Sequence, residues 1–93
     1  MDRITLKRLE SIVGRINSVL DMPESPYAAQ RDDRGGLVVN AGNYHLNMAY
    51  GGYMLVRMCE GGGTRDISPR GTKRETYEYC RAFLDGISAA TGA

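Results

Sequence analysis

Residues 44–59 read Tyr44-His45-Leu46-Asn47-Met48-Ala49-Tyr50-Gly51-Gly52-Tyr53-Met54-Leu55-Val56-Arg57-Met58-Cys59, and this run decides the fold. Tyr44, Leu46, Met48 and Tyr50 alternate with His45, Asn47 and Ala49, the two-residue period of a strand with one face turned to a core. Tyr53–Cys59 reads as a second strand. Gly51-Gly52 between them predicts a tight hairpin, because both central positions of a type I′ turn need positive φ. A two-residue loop at those glycines sets Tyr50 opposite Tyr53, Met48 opposite Leu55 and Leu46 opposite Arg57. The other face then pairs Ala49 with Met54, Asn47 with Val56 and His45 with Met58. The first face is the more apolar and is assigned to the core, with Arg57 at its rim. The second face leaves Met54, Val56 and Met58 to be accounted for.

Outward from the hairpin, the N-terminal side carries Leu6, Leu9, Val13, Ile16 and Leu20 in steps of three and four, with Ile12 and Val19 beside them. That spacing predicts an amphipathic helix over about 4–21. Thr5 or Asp2 is placed to cap it, and Met22-Pro23 to stop it. Arg3, Lys7, Arg8, Glu10 and Arg15 supply its wet side. Residues 22–36 are loop chemistry, with Pro23, Pro26, Asp32, Asp33, Gly35 and Gly36 and at most one short strand near Tyr27. Leu37-Val38-Val39 opens a β region that runs to residue 59. Gly61-Gly62-Gly63 starts a mobile glycine-rich loop over 60–71. Thr72-Lys73-Arg74-Glu75 is a T-x-x-E capping box, and Tyr77, Cys80, Phe83, Leu84 and Ile87 form the stripe of a second helix over about 72–86. Asp85-Gly86-Ile87 suggests its glycine C-cap, with a frayed Ser88–Ala93 tail. The expected fold is α+β in the order α-β-β-β-α: a two- to three-stranded antiparallel sheet flanked in sequence by two helices, in a single domain over 1–93.

Composition narrows the function classes. The 93 residues carry 12 Lys+Arg against 11 Asp+Glu, a net charge of +1, so the strong field of a general nucleic-acid or membrane-surface binder is missing. A hydrophobic fraction of 42% argues against a disordered chain. Nine of the 12 glycines fall between Gly35 and Gly71, where they read as turn punctuation. The N-terminus shows no signal-peptide apolar run. The charge-free stretch from Gly35 to Val56 is too rich in Gly, Asn and His for a membrane span. Two cysteines, Cys59 and Cys80, have no C-x-x-C spacing, so a cytoplasmic chain with reduced thiols is expected.

No constellation of catalytic residues stands out. His45 is the only histidine and has no acidic neighbour from Gly35 to Met58, so a hydrogen-bonded structural role is expected rather than acid–base chemistry. Cys59, Cys80 and His45 lack metal-ligand spacing and a fourth ligand. No cofactor motif is present, since G-x-x-x-x-G-K-[ST] and G-x-G-x-x-G are both absent. Asp32 and Asp33 read as a solvated turn. Arg65, Arg70, Lys73 and Arg74 oppose only Asp66 across residues 65–74. They are the polar candidates for contact with an anion or an acidic partner, close to a helix N-terminus. Most tyrosines fit core-edge positions. If both helices cover one face of the sheet, His45, Asn47, Met54, Val56 and Met58 form an open stripe and a candidate partner-binding face.

Two resemblances follow from these residues. Gly42-Asn43-Tyr44-His45-Leu46, Ala49-Tyr50-Gly51-Gly52-Tyr53, Val56-Arg57-Met58, the Gly61–Gly63 run and Thr72–Tyr77 through Phe83–Ile87 resemble a group of small uncharacterised bacteriophage and prophage proteins. That resemblance implies a phage accessory origin and action by binding a host component, including a defence system. The order of elements, with Pro26-Tyr27 before the sheet and Thr72-Lys73-Arg74 at the last helix, is similar to the plan of double-stranded-RNA-binding domains. The long Pro23–Gly36 loop, the missing second basic cluster and the +1 charge depart from it. The expectation is a small non-enzymatic protein that binds a protein partner, either a host protein or a second copy as a homodimer, and no membrane. The alternatives are a nucleic-acid-binding module, and capture of a small phosphorylated ligand such as a signalling nucleotide by Gly61–Gly63 with Arg65 and Arg70.

Overall fold

The computed structural model describes residues 3–28 and 30–92. Five elements follow one another as α1 (Leu6–Val19), β1 (Tyr44–Ala49), β2 (Gly52–Met58), β3 (Thr64–Asp66) and α2 (Lys73–Thr91). The strands form one antiparallel sheet in the order β1-β2-β3, the α-β-β-β-α arrangement expected from the sequence.

Thr5 caps α1 by accepting the Arg8 N–H at 3.1 Å; Asp2, the other candidate cap, lies outside the described residues. The helix ends before Pro23 acts. Asp21 is left-handed at φ 56°, its N–H reaches the Ser18 carbonyl, and the Met22 N–H reaches back to the Asn17 carbonyl at 2.7 Å. This is a Schellman closure with aspartate in the place glycine usually holds. At the other end of the chain Thr72 and Glu75 form the expected capping box, Glu75 Oε1 accepting the Thr72 N–H at 2.9 Å. The expected glycine stop at Gly86 does not occur. Helix α2 runs on to Thr91, and Gly92 caps it at φ 73°. Ser88, Ala89 and Ala90 continue the helix readily because small side chains lose little entropy there. Ala93, the last residue of the expected frayed tail, lies outside the described residues.

The hairpin forms, but one residue earlier than the glycines suggest. The turn residues are Tyr50 and Gly51, at φ 53° and 71°. Gly52 belongs to β2, opposite Ala49. The register is therefore Tyr44–Arg57, His45–Val56, Leu46–Leu55, Asn47–Met54 and Met48–Tyr53. Moving a two-residue loop by one position changes every partner yet preserves parity, so the two face sets stand as read. Gly52 is required by close approach: a Cβ there would sit 2.8 Å from Arg70 Cγ. The third strand also differs. Val39 makes only an isolated bridge to Tyr27, and β3 lies at Thr64–Asp66, inside the stretch expected to be mobile. Gly62, at φ 91°, lets the chain turn from β2 into β3, with the Cys59 N–H on the Gly63 carbonyl at 2.8 Å.

Both helices pack on the Tyr44/Leu55 face. Leu9, Ile12, Val13 and Ile16 of α1 and Cys80 of α2 close on those two residues, with Tyr53, Phe83 and Leu84 around them. Tyr44 and Phe83 meet at a ring-centroid distance of 5.7 Å. A polar side chain reaches into this core. Asn17 of α1 is 1% exposed, yet its Oδ1 accepts the Tyr44 N–H at 2.7 Å and its Nδ2 donates to the Tyr44 carbonyl at 2.9 Å. The side-chain amide thus replaces a neighbouring strand. Replacing Asn17 by alanine strands two buried backbone groups, each worth about 1–3 kcal/mol. Asn17→Ala is therefore expected to lower unfolding stability by roughly 3 kcal/mol in denaturant titration, with Asn17→Asp no better because its second oxygen opposes the Tyr44 carbonyl.

Candidate functional site

The sheet face turned from the helices is not the open stripe expected from the sequence. Val56 is 1% and Met58 3% exposed, while His45 and Met54 are half-buried and Asn47 is exposed. The long segment between α1 and β1 is joined across itself and meets β2 at Met58, whose N–H reaches the Asn43 carbonyl and whose carbonyl accepts the Gly42 N–H, both at 2.8 Å. Asn43 Nδ2 donates to the Pro23 carbonyl at 2.7 Å, Asn40 Nδ2 to the Ser25 carbonyl at 3.0 Å, and Tyr27 bridges Val39. Asn40 and Asn43 carry this joining, and nothing in hydrophobic periodicity marks them for it.

His45 takes the structural role expected of it. Asn43 donates through Nδ2 to Pro23, so its Oδ1 is the acceptor facing His45 Nδ1 at 3.0 Å. The neutral ring therefore carries its proton on Nδ1. Burial lowers the His45 pKa below 6.5, so the folded state disfavours the imidazolium.

The four basic candidates lie on three different segments: β3, the link that follows it, and α2. Arg70 clasps the hairpin: Nη1 donates to the Ala49 carbonyl at 3.1 Å and Nη2 to Asn47 Oδ1 at 2.7 Å, and its guanidinium lies 5.8 Å from the Tyr50 ring centre. Arg65 lies on β3, opposite Arg57. Arg74 pairs with Glu78 at 3.9 Å on the exposed helix surface. Lys73 is half-buried at the start of α2. The helix N-terminus itself is taken by Glu75, whose hydrogen bonds with Thr72 hold its carboxyl below the usual range. Gly61–Gly63, expected as a mobile connector with an anion cradle as the alternative, form the turn between β2 and β3.

Two features the sequence reading passed over are prominent. The first is the outer edge of β1. The Tyr44 N–H and C=O point away from β2 to Asn17, and by the period of an antiparallel ladder those of Leu46 and Met48 point the same way. No described residue takes them. A groove of about 350 Å³ runs along this edge, lined by Val13, Gly14, Leu46 and Met48 and bordered by Glu10 and Glu24. The second is the hairpin tip. Tyr50 is 98% exposed while in the left-handed region, a conformation that is an outlier for a bulky side chain. Met48 beside it is 56% exposed. The alternation that identified β1 could not show which side of the strand lacks a neighbour, and Tyr50 read as a core residue because the turn was placed one position late.

Among the described residues no three His, Cys, Asp or Glu side chains come together. Cys59 and Cys80 are free, and burial pushes the Cys80 thiol up to about 11. No helix of the described residues is long and apolar enough to cross a membrane. Comparison with known protein families, with curated proteins and with solved structures finds no match.

The His45 shift sets a pH dependence. A group whose folded pKa is depressed contributes stability that is present above its unfolded value near 6.5 and is lost as pH falls through the folded value. Unfolding midpoints are expected to drop as pH falls below 6.5, and His45→Gln to flatten that part of the profile.

Proposed function

We propose that this chain is a small non-catalytic binding protein that takes an extended segment of a protein partner as a fourth strand on the edge of β1. The observation that carries this reading is the pair of unpaired backbone positions at Leu46 and Met48, beside Tyr44 positions already occupied by Asn17. Folded proteins ordinarily blunt such an edge with lysine, proline, a bulge or a covering segment. Tyr44–Ala49 carries no charge and no proline. An added strand gains main-chain hydrogen bonds spaced about 7 Å apart along the edge, and apolar side chains on it fill the Val13/Gly14 groove. Glu10 and Glu24 border that groove with no lysine or arginine lining it, so the segment carries lysine or arginine. The same two glutamates repel each other across a symmetric pair, which favours a different protein over a second copy. Tyr50 and Met48 extend the surface at the tip, tyrosine and methionine being enriched at protein interfaces. The resemblance to small phage and prophage proteins supports a host component as the partner.

The test uses a fluorescent nine-residue peptide of alternating Lys and Val. The wild-type chain is expected to bind it, and Leu46→Pro, which deletes one edge donor, to weaken binding at least tenfold. Met48→Lys, a surface change that adds a like charge to the edge, is expected to act in the same direction. Equal binding by all three chains, or a wild-type dimer in sedimentation that Leu46→Pro dissociates, contradicts the reading.

A further inference from the structure

On the far side of α1 from the β1 edge, a second groove of about 340 Å³ runs between the two helices. Its charge is opposite. Arg8 and Arg15 of α1 and Arg81 of α2 line it, against a single carboxylate, Asp85. All three arginines are exposed. Among the described residues none of them forms an ion pair, and the guanidinium of Arg8 instead lies over the Tyr77 ring, 5.0 Å from its centre. Three like charges gathered around one concavity repel one another, and nothing in the core packing demands them. Its apolar lining is Ile12, Val19 and Leu84, of which Ile12 is buried and Val19 is exposed, with Ser11 and Ser88 beside them.

We infer that this groove is a docking site for an acidic amphipathic helix of a protein partner. Its length and pattern select that occupant. The α1 lining extends from Arg8 to Val19 and the α2 lining from Tyr77 to Ser88, each roughly 16 Å at 1.5 Å per residue, or three turns. Arg8 and Arg15 are separated by two turns, roughly 10.5 Å along the axis. Carboxylates seven residues apart on a helix laid along the groove repeat at the same distance. The apolar stripe of that helix then lies on Val19 and Leu84, the helix-in-groove mode of recognition. A small anion would leave this apolar strip uncovered, and so would a nucleic-acid backbone. The site is independent of the β1 edge, and together the two would let one small chain hold a basic strand and an acidic helix on opposite sides of α1.

The test is fluorescence anisotropy with a 14-residue helical peptide carrying Glu at positions 1, 4, 8 and 11 and Leu at 5, 9 and 12. A scrambled peptide of the same composition and a 14-mer RNA duplex serve as comparison probes. Arg8→Glu/Arg15→Glu is the informative variant: both side chains are exposed, and Arg8 lies in the first turn of α1, where an acidic residue favours the helix. Protection of the Cys80 thiol from labelling confirms its fold. The expected result is wild-type binding of the patterned peptide at least tenfold tighter than the scrambled one. The double variant should reduce it at least tenfold, and Leu46→Pro should leave it unchanged. Equal binding of the scrambled peptide, tighter binding of the duplex, unchanged binding by the double variant, or no wild-type binding at 1 mM peptide overturns the inference.

Discussion

The structure depends on one side chain that acts as a strand. Asn17 leaves α1 inside the apolar core and meets both polar groups of Tyr44. A buried amide is tolerable only when its partners are present, and here each side satisfies the other. The pair fixes how α1 lies against the sheet, because a rotation or slide of the helix by one residue would strand an amide on one side and a peptide on the other. It also closes the first position of the β1 edge. Two residues on, the helix no longer supplies such a group, and the edge opens at Leu46 and Met48.

The opposite end of the hairpin is held by a chain of related devices. Arg70 crosses Gly52 to reach the Ala49 carbonyl and Asn47. Gly71 exchanges backbone hydrogen bonds with Tyr53 at 2.8 and 2.9 Å. One residue later Thr72 starts α2, and Thr76 returns to donate to the Tyr53 carbonyl at 3.2 Å. The hairpin tip is thereby tied to the start of α2, and Tyr50 is presented outward from it.

Much of this was legible in the sequence, for physical reasons that differ by element. The helices were marked by apolar spacing and the T-x-x-E box, both local signals. The two faces of the hairpin were legible because the side-chain period of a strand survives a displaced turn. The turn itself was misplaced: a glycine pair points to Gly51-Gly52, and the need for Gly52 beneath Arg70 is a long-range fact. Strand β3 was hidden because Thr64-Arg65-Asp66 is fully exposed and so has no apolar alternation. Helix α2 was cut short at Gly86, where local propensity gave way to the Ala-rich continuation. The candidate sites fared less well. Burial of Val56 and Met58 is a tertiary fact that strand alternation does not carry, and the arginine groove depends on two helices meeting side by side. The i, i+7 spacing of Arg8 and Arg15 was visible but reads as an ordinary wet face until Arg81 stands opposite.

Function in this account follows from what the core leaves unfinished. The helices cover one face of a three-stranded sheet, Val56 and Met58 are buried on the other, and the buried polar side chains among the described residues are satisfied, so what remains for a partner is an edge, a tip and a groove. The central claim is that the β1 edge is closed at Tyr44 and open at Leu46 and Met48. Amide hydrogen exchange on the 93-residue chain, resolved by residue, measures this directly. The account predicts a protected Tyr44 amide and fast exchange at Leu46 and Met48 in the free protein. Protection at Leu46 and Met48 equal to that at Tyr44 would contradict it.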